Sequence, residues 1–231
     1  MRKFWGFYKN EKYSVGCSGK MVYVYDAEGK ELDKFRNFNY AYVGAFKPYS
    51  NIIAVKSTEG VLGFYDLDSL SLVKKITITR IGAQDEGFAF SPDGKWFYNI
   101  EKPISSNQTQ LSIYDTEAFE KVCTLFDDEK KMVLDDIEFD KETGCGYVLG
   151  FMRDDNYGVY EYGFVGKFDV ENNSITNIQR IDENQFEYLQ SYKAWERSGF
   201  TEKSLEWSPL HEMKDIKETS IKSVYNKLCN N

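Results

Sequence analysis

Apolar and polar positions alternate with period two over most of the first 181 residues, and this alternation predicts strands. The pattern is clearest at Phe88-Ala-Phe-Ser-Pro-Asp-Gly-Lys-Trp-Phe-Tyr-Asn-Ile100. Phe88 and Phe90 flank Ala89, Ser91 to Gly94 supplies a tight turn, and aromatic and β-branched residues resume from Trp96. Pro92 presets φ near about −65°, Asp93 can hold the turn through its side chain, and Gly94 accepts positive φ. Looser copies stand at Tyr8 to Val15, Phe46 to Val55 and Phe139 to Leu149. A second marker closes an apolar run in each unit: Tyr25-Asp26, Tyr65-Asp66, Tyr114-Asp115 and Phe168-Asp169. A polar turn and one more strand follow each pair. Both markers recur every ~40–50 residues and stay in phase, which is the spacing of propeller blades.

These units span residues 4–35, 40–78, 87–126 and 136–181, each with four predicted strands. The expected fold is all-β, a β-propeller-like array of about four four-stranded antiparallel blades. On Phe90-Ser-Pro-Asp-Gly-Lys95 and the aromatic-aspartate pairs, residues 4–181 resemble a divergent WD40-like β-propeller. The resemblance implies a docking platform. It departs from the WD40 pattern in lacking a Gly-His dipeptide, since His211 lies outside the repeats. A meander or sandwich with similar turn spacing is the competing architecture. Four units leave open a compact ring, an open fan, or a half-ring completed by self-association.

The pattern changes at Asp182, so the domain reading is 1–181 for the repeats and 182–231 for a helical segment packed on them. Asp182-Glu-Asn-Gln185 matches a capping box, and Phe186, Leu189, Tyr192 (or Lys193) and Trp195 follow at helical spacing to a C-cap at Gly199. A second helix is expected from Ser208-Pro209, with a stripe of Met213, Ile216, Ser220, Val224 and Leu228.

Composition narrows the function classes. Aromatic residues make up 16% of the chain, a load that suits stacked sheets. A net charge of −8 argues against nucleic-acid binding and favours a basic protein partner. No apolar run is long enough for a signal core or membrane span, and Cys17, Cys123, Cys145 and Cys229 form no paired motif. The expectation is a cytoplasmic protein with no membrane association.

With one histidine, neither a histidine-based triad nor a histidine metal site is expected, and no catalytic residue, metal or cofactor is assigned. Asp66-Leu-Asp68 and Asp154-Asp155-Asn156 lack the ligand spacing of a calcium loop. The longer connections are Thr79 to Glu86, Glu101 to Gln110, Asp127 to Leu134 and Arg153 to Gly158, and antiparallel order puts all four at one end of the blades. That end gathers Asp85, Glu86, Glu101, Asp127, Asp128, Glu129, Asp154 and Asp155, with Asp135 and Asp136 at its border. The expected function is a non-catalytic interaction module, an adaptor or neutralising binder. Asp85, Glu86, Asp127, Asp128, Asp154 and Asp155 would steer a basic surface, with Tyr157 and Tyr160 as aromatic anchors; Arg153 belongs to the same partner-binding set and, with Arg80, Lys102, Lys130 and Lys131, offsets part of the acidity. The alternative is a small-molecule- or metal-binding, even hydrolytic, propeller with aspartates and tyrosines in a central funnel.

Overall fold

The computed structural model describes residues 3–78, 87–103, 108–156, 158–199 and 218–230. Among them, sixteen strands form four four-stranded antiparallel sheets, each a meander of consecutive strands. The first holds β1 (Gly6–Lys9), β2 (Tyr13–Ser18), β3 (Met21–Asp26) and β4 (Glu31–Phe35). The second holds β5 (Ala41–Phe46), β6 (Ile52–Ser57), β7 (Val61–Asp66) and β8 (Ser71–Thr77). The third holds β9 (Phe88–Phe90), β10 (Trp96–Glu101), β11 (Gln110–Asp115) and β12 (Glu120–Leu125). The fourth holds β13 (Met132–Phe139), β14 (Gly146–Arg153), β15 (Tyr160–Asp169) and β16 (Ser174–Ile181), followed by helices α1 (Glu183–Arg197) and α2 (Ile221–Cys229). The chain is thus mostly strand, a propeller-like series of four sheets with a helical C-terminal segment. No helix among the described residues is long and apolar enough to cross a membrane.

The two repeating markers are two turn devices. In the first, one polar side chain holds the hairpin between the first and second strands of a sheet. Asn10 Oδ1 accepts from the N–H groups of Lys12 (2.9 Å) and Tyr13 (2.7 Å). Ser91 Oγ accepts from Trp96 N–H (3.0 Å) and donates to Asp93 (2.6 Å), while Gly94 takes φ 72°. The second device explains the aromatic-aspartate pairs. Asp115 Oδ1 accepts from Glu117 N–H (2.9 Å) and Ala118 N–H (2.7 Å), and Asp169 Oδ1 accepts from Glu171 N–H (3.0 Å) and Asn172 N–H (3.1 Å). Asp66 Oδ1 accepts from Asp68 N–H at 3.0 Å. Each of these turns then closes through a positive φ: 49° at Leu70, 53° at Phe119 and 51° at Asn173. Left-handed backbone at a branched or aromatic residue costs about 1 kcal/mol or more, which the satisfied N–H groups offset. The neighbouring Tyr65, Tyr114 and Phe168 are buried, so each pair couples a core anchor to a turn cap.

The chain divides into two compact units, residues 1–85 with 195–204, and residues 86–194 with 205–231. In the first unit, alternate residues of β2 (Tyr13, Val15, Cys17), β3 (Val22, Val24) and β6 (Ile53, Val55) form the core. Gly19 and Ala41 exchange two backbone hydrogen bonds (3.2 and 2.8 Å), joining the β2–β3 turn to the start of β5. Asp68 gathers Lys12, Tyr13 (2.9 Å) and Asn51 (2.9 Å), and these hydrogen bonds, led by Lys12, bring its carboxyl down to about 2. The edge of β1 that faces away from β2 is occupied: Phe7 N–H donates to Ser198 O (2.9 Å), and Tyr8 Oη donates to Arg197 O (2.6 Å). Gly199, at φ 70°, lies so close to the Phe7 carbonyl that a β-carbon there would collide with it. β1 starts at Gly6, and Phe4 stacks on Phe7 at 5.4 Å.

In the second unit, Tyr98, Ile100, Leu111 and Ile113 pack against Leu134, Ile137, Val148, Phe164 and Phe168. The opposite side of the fourth sheet, including Tyr147, Leu149 and Val165, is covered by Phe186 and Leu189 of α1 and by Ile221, Val224 and Tyr225 of α2. Asp182 caps α1 by accepting from Gln185 N–H at 2.9 Å. The reciprocal half of the expected capping box does not form, because Gln185 Nε2 is buried without a hydrogen-bond partner. Ser220 is extended (φ −107°, ψ 136°) and its Oγ accepts from Ser223 N–H, so it caps α2 and is not part of an apolar stripe. The expected helix start at Ser208-Pro209, with Met213, Ile216 and His211, lies outside the described residues. Buried charge pins both helices: Lys193 Nζ lies 2.5 Å from Glu138, which also accepts from Ser220 Oγ and Lys222 N–H at 2.7 Å each.

Candidate functional site

In the second unit, the connections β10–β11, β12–β13 and β14–β15 share one end of their sheets, as antiparallel order requires. Phe126 to Lys131 and Asp154 to Val159 adjoin there. Arg153 N–H donates to Lys131 O (2.8 Å), and Lys131 Nζ forms an ion pair with Asp155. Asp127 and Asp128 are exposed on the first loop, and the Asp155 side chain is 90% exposed on the second. Asp154 has a different task. Its Oδ1 accepts from Gly158 N–H (3.2 Å) and Val159 N–H (3.3 Å), and the Gly158 bond leads the effects that hold its carboxyl below the ordinary range. Asp154 therefore closes the β14–β15 connection. The Arg153 guanidinium lies over the Phe151 ring at 5.8 Å.

The structure places Asp127, Asp128, Arg153, Asp154 and Asp155 together at this end, and it packs Tyr160 into an apolar wall. The Tyr160 ring lies 5.6 Å from both Phe151 and Phe186, and burial pushes its phenol up. Asp85, Glu86 and Tyr157 lie outside the described residues.

Three further carboxylates expected on this surface are withdrawn from it. Glu101 is 2% exposed at the end of β10. It accepts from Tyr114 Oη (2.5 Å), Asn99 Nδ2 (3.3 Å) and Gln110 Nε2 (3.1 Å), and pairs with Lys121 at 2.9 Å. Burial alone would raise the Glu101 carboxyl, but the Lys121 charge and the Tyr114 and Lys121 hydrogen bonds outweigh it and hold it low. Asp136 is 2% exposed, and Asp135 accepts from Gln190 Nε2 at 2.6 Å. The loop itself is shorter than expected, because β13 already begins at Met132. Sequence spacing did carry a signal for Glu101: it stands at alternate positions with Phe97 and Asn99, on a face that β11 matches with Gln110, Ser112 and Tyr114.

No protein-family model matches the chain, and no curated protein does. Among solved structures, the hydrazine synthase of Kuenenia stuttgartiensis aligns with a TM-score of 0.58 at 18% identity, over 74% of this chain and 47% of that one. The chain thus spans about half the length of the solved chain it matches. Likeness at that identity shows the β-rich fold alone. In all, 1028 solved chains match, and a fold shared so widely does not select an activity.

What the site can do follows from its surface. Among the described residues, the connections at this end carry Asp127, Asp128, Glu129, Asp154 and Asp155 against Lys102, Lys130 and Lys131. The excess of carboxylate is modest and is concentrated at the loop tips. Among the described residues, no group of three His, Cys, Asp or Glu side chains could hold a metal ion.

Proposed function

We propose that this chain is a non-catalytic interaction module whose second unit receives a basic protein surface on its sheet-end loops. The observation that carries this reading is the exposure of Asp127, Asp128 and Asp155 on two loops tied to each other and to a packed sheet. Carboxylates held on rigid connections steer and orient a cationic partner without reorganising. Asp154 supports the geometry, and Tyr160 acts from behind as packing. The partner class is a protein with clustered Lys or Arg, and the protein serves as adaptor or neutralising binder.

The test compares the intact protein with Asp127→Asn/Asp128→Asn in affinity capture from source-cell lysate, with Asp154 left intact so that the turn survives. A basic partner retained by the intact protein, released by salt and lost by the variant supports the reading. Equal recovery by both proteins moves the site elsewhere.

A further inference from the structure

The corresponding end of the first unit has the opposite character. Among the described residues its connections are 3–5 leading into β1, 19–20 between β2 and β3, 36–40 between β4 and β5, and 58–60 between β6 and β7; residues 79–86, which follow β8, lie outside them. Among the described residues these carry Lys3, Lys20 and Arg36, all exposed, and one carboxylate, Glu59. Two large aromatic side chains stand open beside them, Trp5 at 70% exposure and Tyr40 at 57%. Each precedes the first strand of its sheet, so the two occupy equivalent positions, and β1 lies beside β5.

Tyr40 is held in place by the fold. Its φ is 52°, a left-handed conformation that an aromatic residue adopts only under constraint. The constraint is visible on both sides. Thr58 N–H donates to Tyr40 O (3.2 Å), and Ser57 Oγ donates to Asn39 O (2.5 Å). Ala41 is locked to Gly19, Asn39 Nδ2 donates to Glu59 (3.3 Å), and Lys75 Nζ donates to Asn37 O (2.7 Å). Trp5 is anchored by its own N–H to Cys17 O at 2.8 Å. Three exposed cations against one carboxylate among the described residues set the sign of the patch.

From this geometry we infer that the first unit carries a second, separate docking site, formed by Trp5, Tyr40, Lys3, Lys20 and Arg36, for an acidic polypeptide segment. Aromatic rings carried on an anchored backbone supply flat apolar area, and flanking cations meet carboxylates on either side. An acidic segment bearing proline or an aromatic residue satisfies both features.

The experiment uses the whole protein and a fluorescein-labelled peptide of glutamates around a central Pro-Phe, followed by fluorescence anisotropy. Saturable binding in the micromolar to ~1 mM range is expected, weakening as salt rises. Trp5→Ala and Tyr40→Ala should each weaken it about tenfold, Lys20→Glu should weaken it as well, and Asp127→Asn/Asp128→Asn should leave it unchanged. Both aromatic side chains are largely exposed, and matching thermal midpoints confirm that the variants are folded. No saturation by ~1 mM, or binding that survives Trp5→Ala/Tyr40→Ala, overturns the site. Tighter binding of an oligothymidine of equal length, lost in the same variants, overturns the polypeptide assignment in favour of single-stranded nucleic acid.

Discussion

The two units close themselves by different chemistry. In the first, the key closures are main chain to main chain: Phe7 to Ser198, Gly19 to Ala41, Thr58 to Tyr40. In the second, they are buried charges: Glu101 with Lys121 and Tyr114, and Glu138 with Lys193, Ser220 and Lys222. The sheets themselves are alike, so the difference lies in the sealing of their edges and ends. Backbone closure is indifferent to pH and sensitive to steric change. Closure by buried carboxylate tolerates shape but fails when a partner is removed or a proton is added.

The largest expected effect tests the second unit. Lys193→Met should leave Glu138 buried beside an apolar group and destabilise the protein by ~3 kcal/mol, read from urea unfolding. A loss under ~1 kcal/mol would show that Ser220 and Lys222 alone satisfy the carboxylate. Next is acid. Burial raises the Glu101 and Glu138 carboxyls, but their lysine partners and hydrogen bonds more than reverse it and hold both below the ordinary value. Their stabilisation is therefore complete above about pH 4.5 and disappears as pH falls through the folded values. Urea midpoints should fall on acidification below that point, and the gap between wild type and Glu138→Gln should narrow. Curves running parallel down to about pH 3 would exclude Glu138 from that loss.

In the first unit, Gly199→Ala forces a β-carbon against the Phe7 carbonyl at positive φ, and a loss of ~2 kcal/mol is expected in the same assay. An unchanged midpoint would mean that residues 197–199 can leave β1 at no cost. The smallest effects separate support from surface. Asp154→Asn should lower the urea midpoint measurably through weakened bonds to Gly158 and Val159, whereas Asp127→Asn should leave it where it is. Equal effects at both positions would erase the distinction between turn cap and open carboxylate.

The hairpins were legible in the sequence because they are local. Ser91 to Gly94 and Asp115 to Phe119 contain their own hydrogen-bond partners, and period-two patterning supplies the strands. Asp182 was readable as a cap for the same reason. What was not legible depends on distant residues. Glu101 is written among polar loop residues, yet it is buried and its salt bridge comes from Lys121 on another strand. Lys193 sits on a helix that looks solvated, and its partner Glu138 belongs to β13. The sign of the first unit's loop surface was equally hidden. Summed over the chain, charge is −8, while among the described residues the first unit's sheet-end loops carry three exposed cations and one carboxylate. For the proposed sites, net charge informed one end and concealed the other.

The closure of β1 also bears on how the chain is made. Tyr8 donates to Arg197, a partner 189 residues further along. A ribosome adding about 5–20 residues per second would need on the order of 10–40 s to cover that interval. Throughout it, the edge of the first strand that faces away from β2 would stay open, inviting association with neighbouring nascent chains. Slowing or truncating synthesis before residue 197 should therefore produce aggregates seeded by the first sheet, even though every later hairpin is intact.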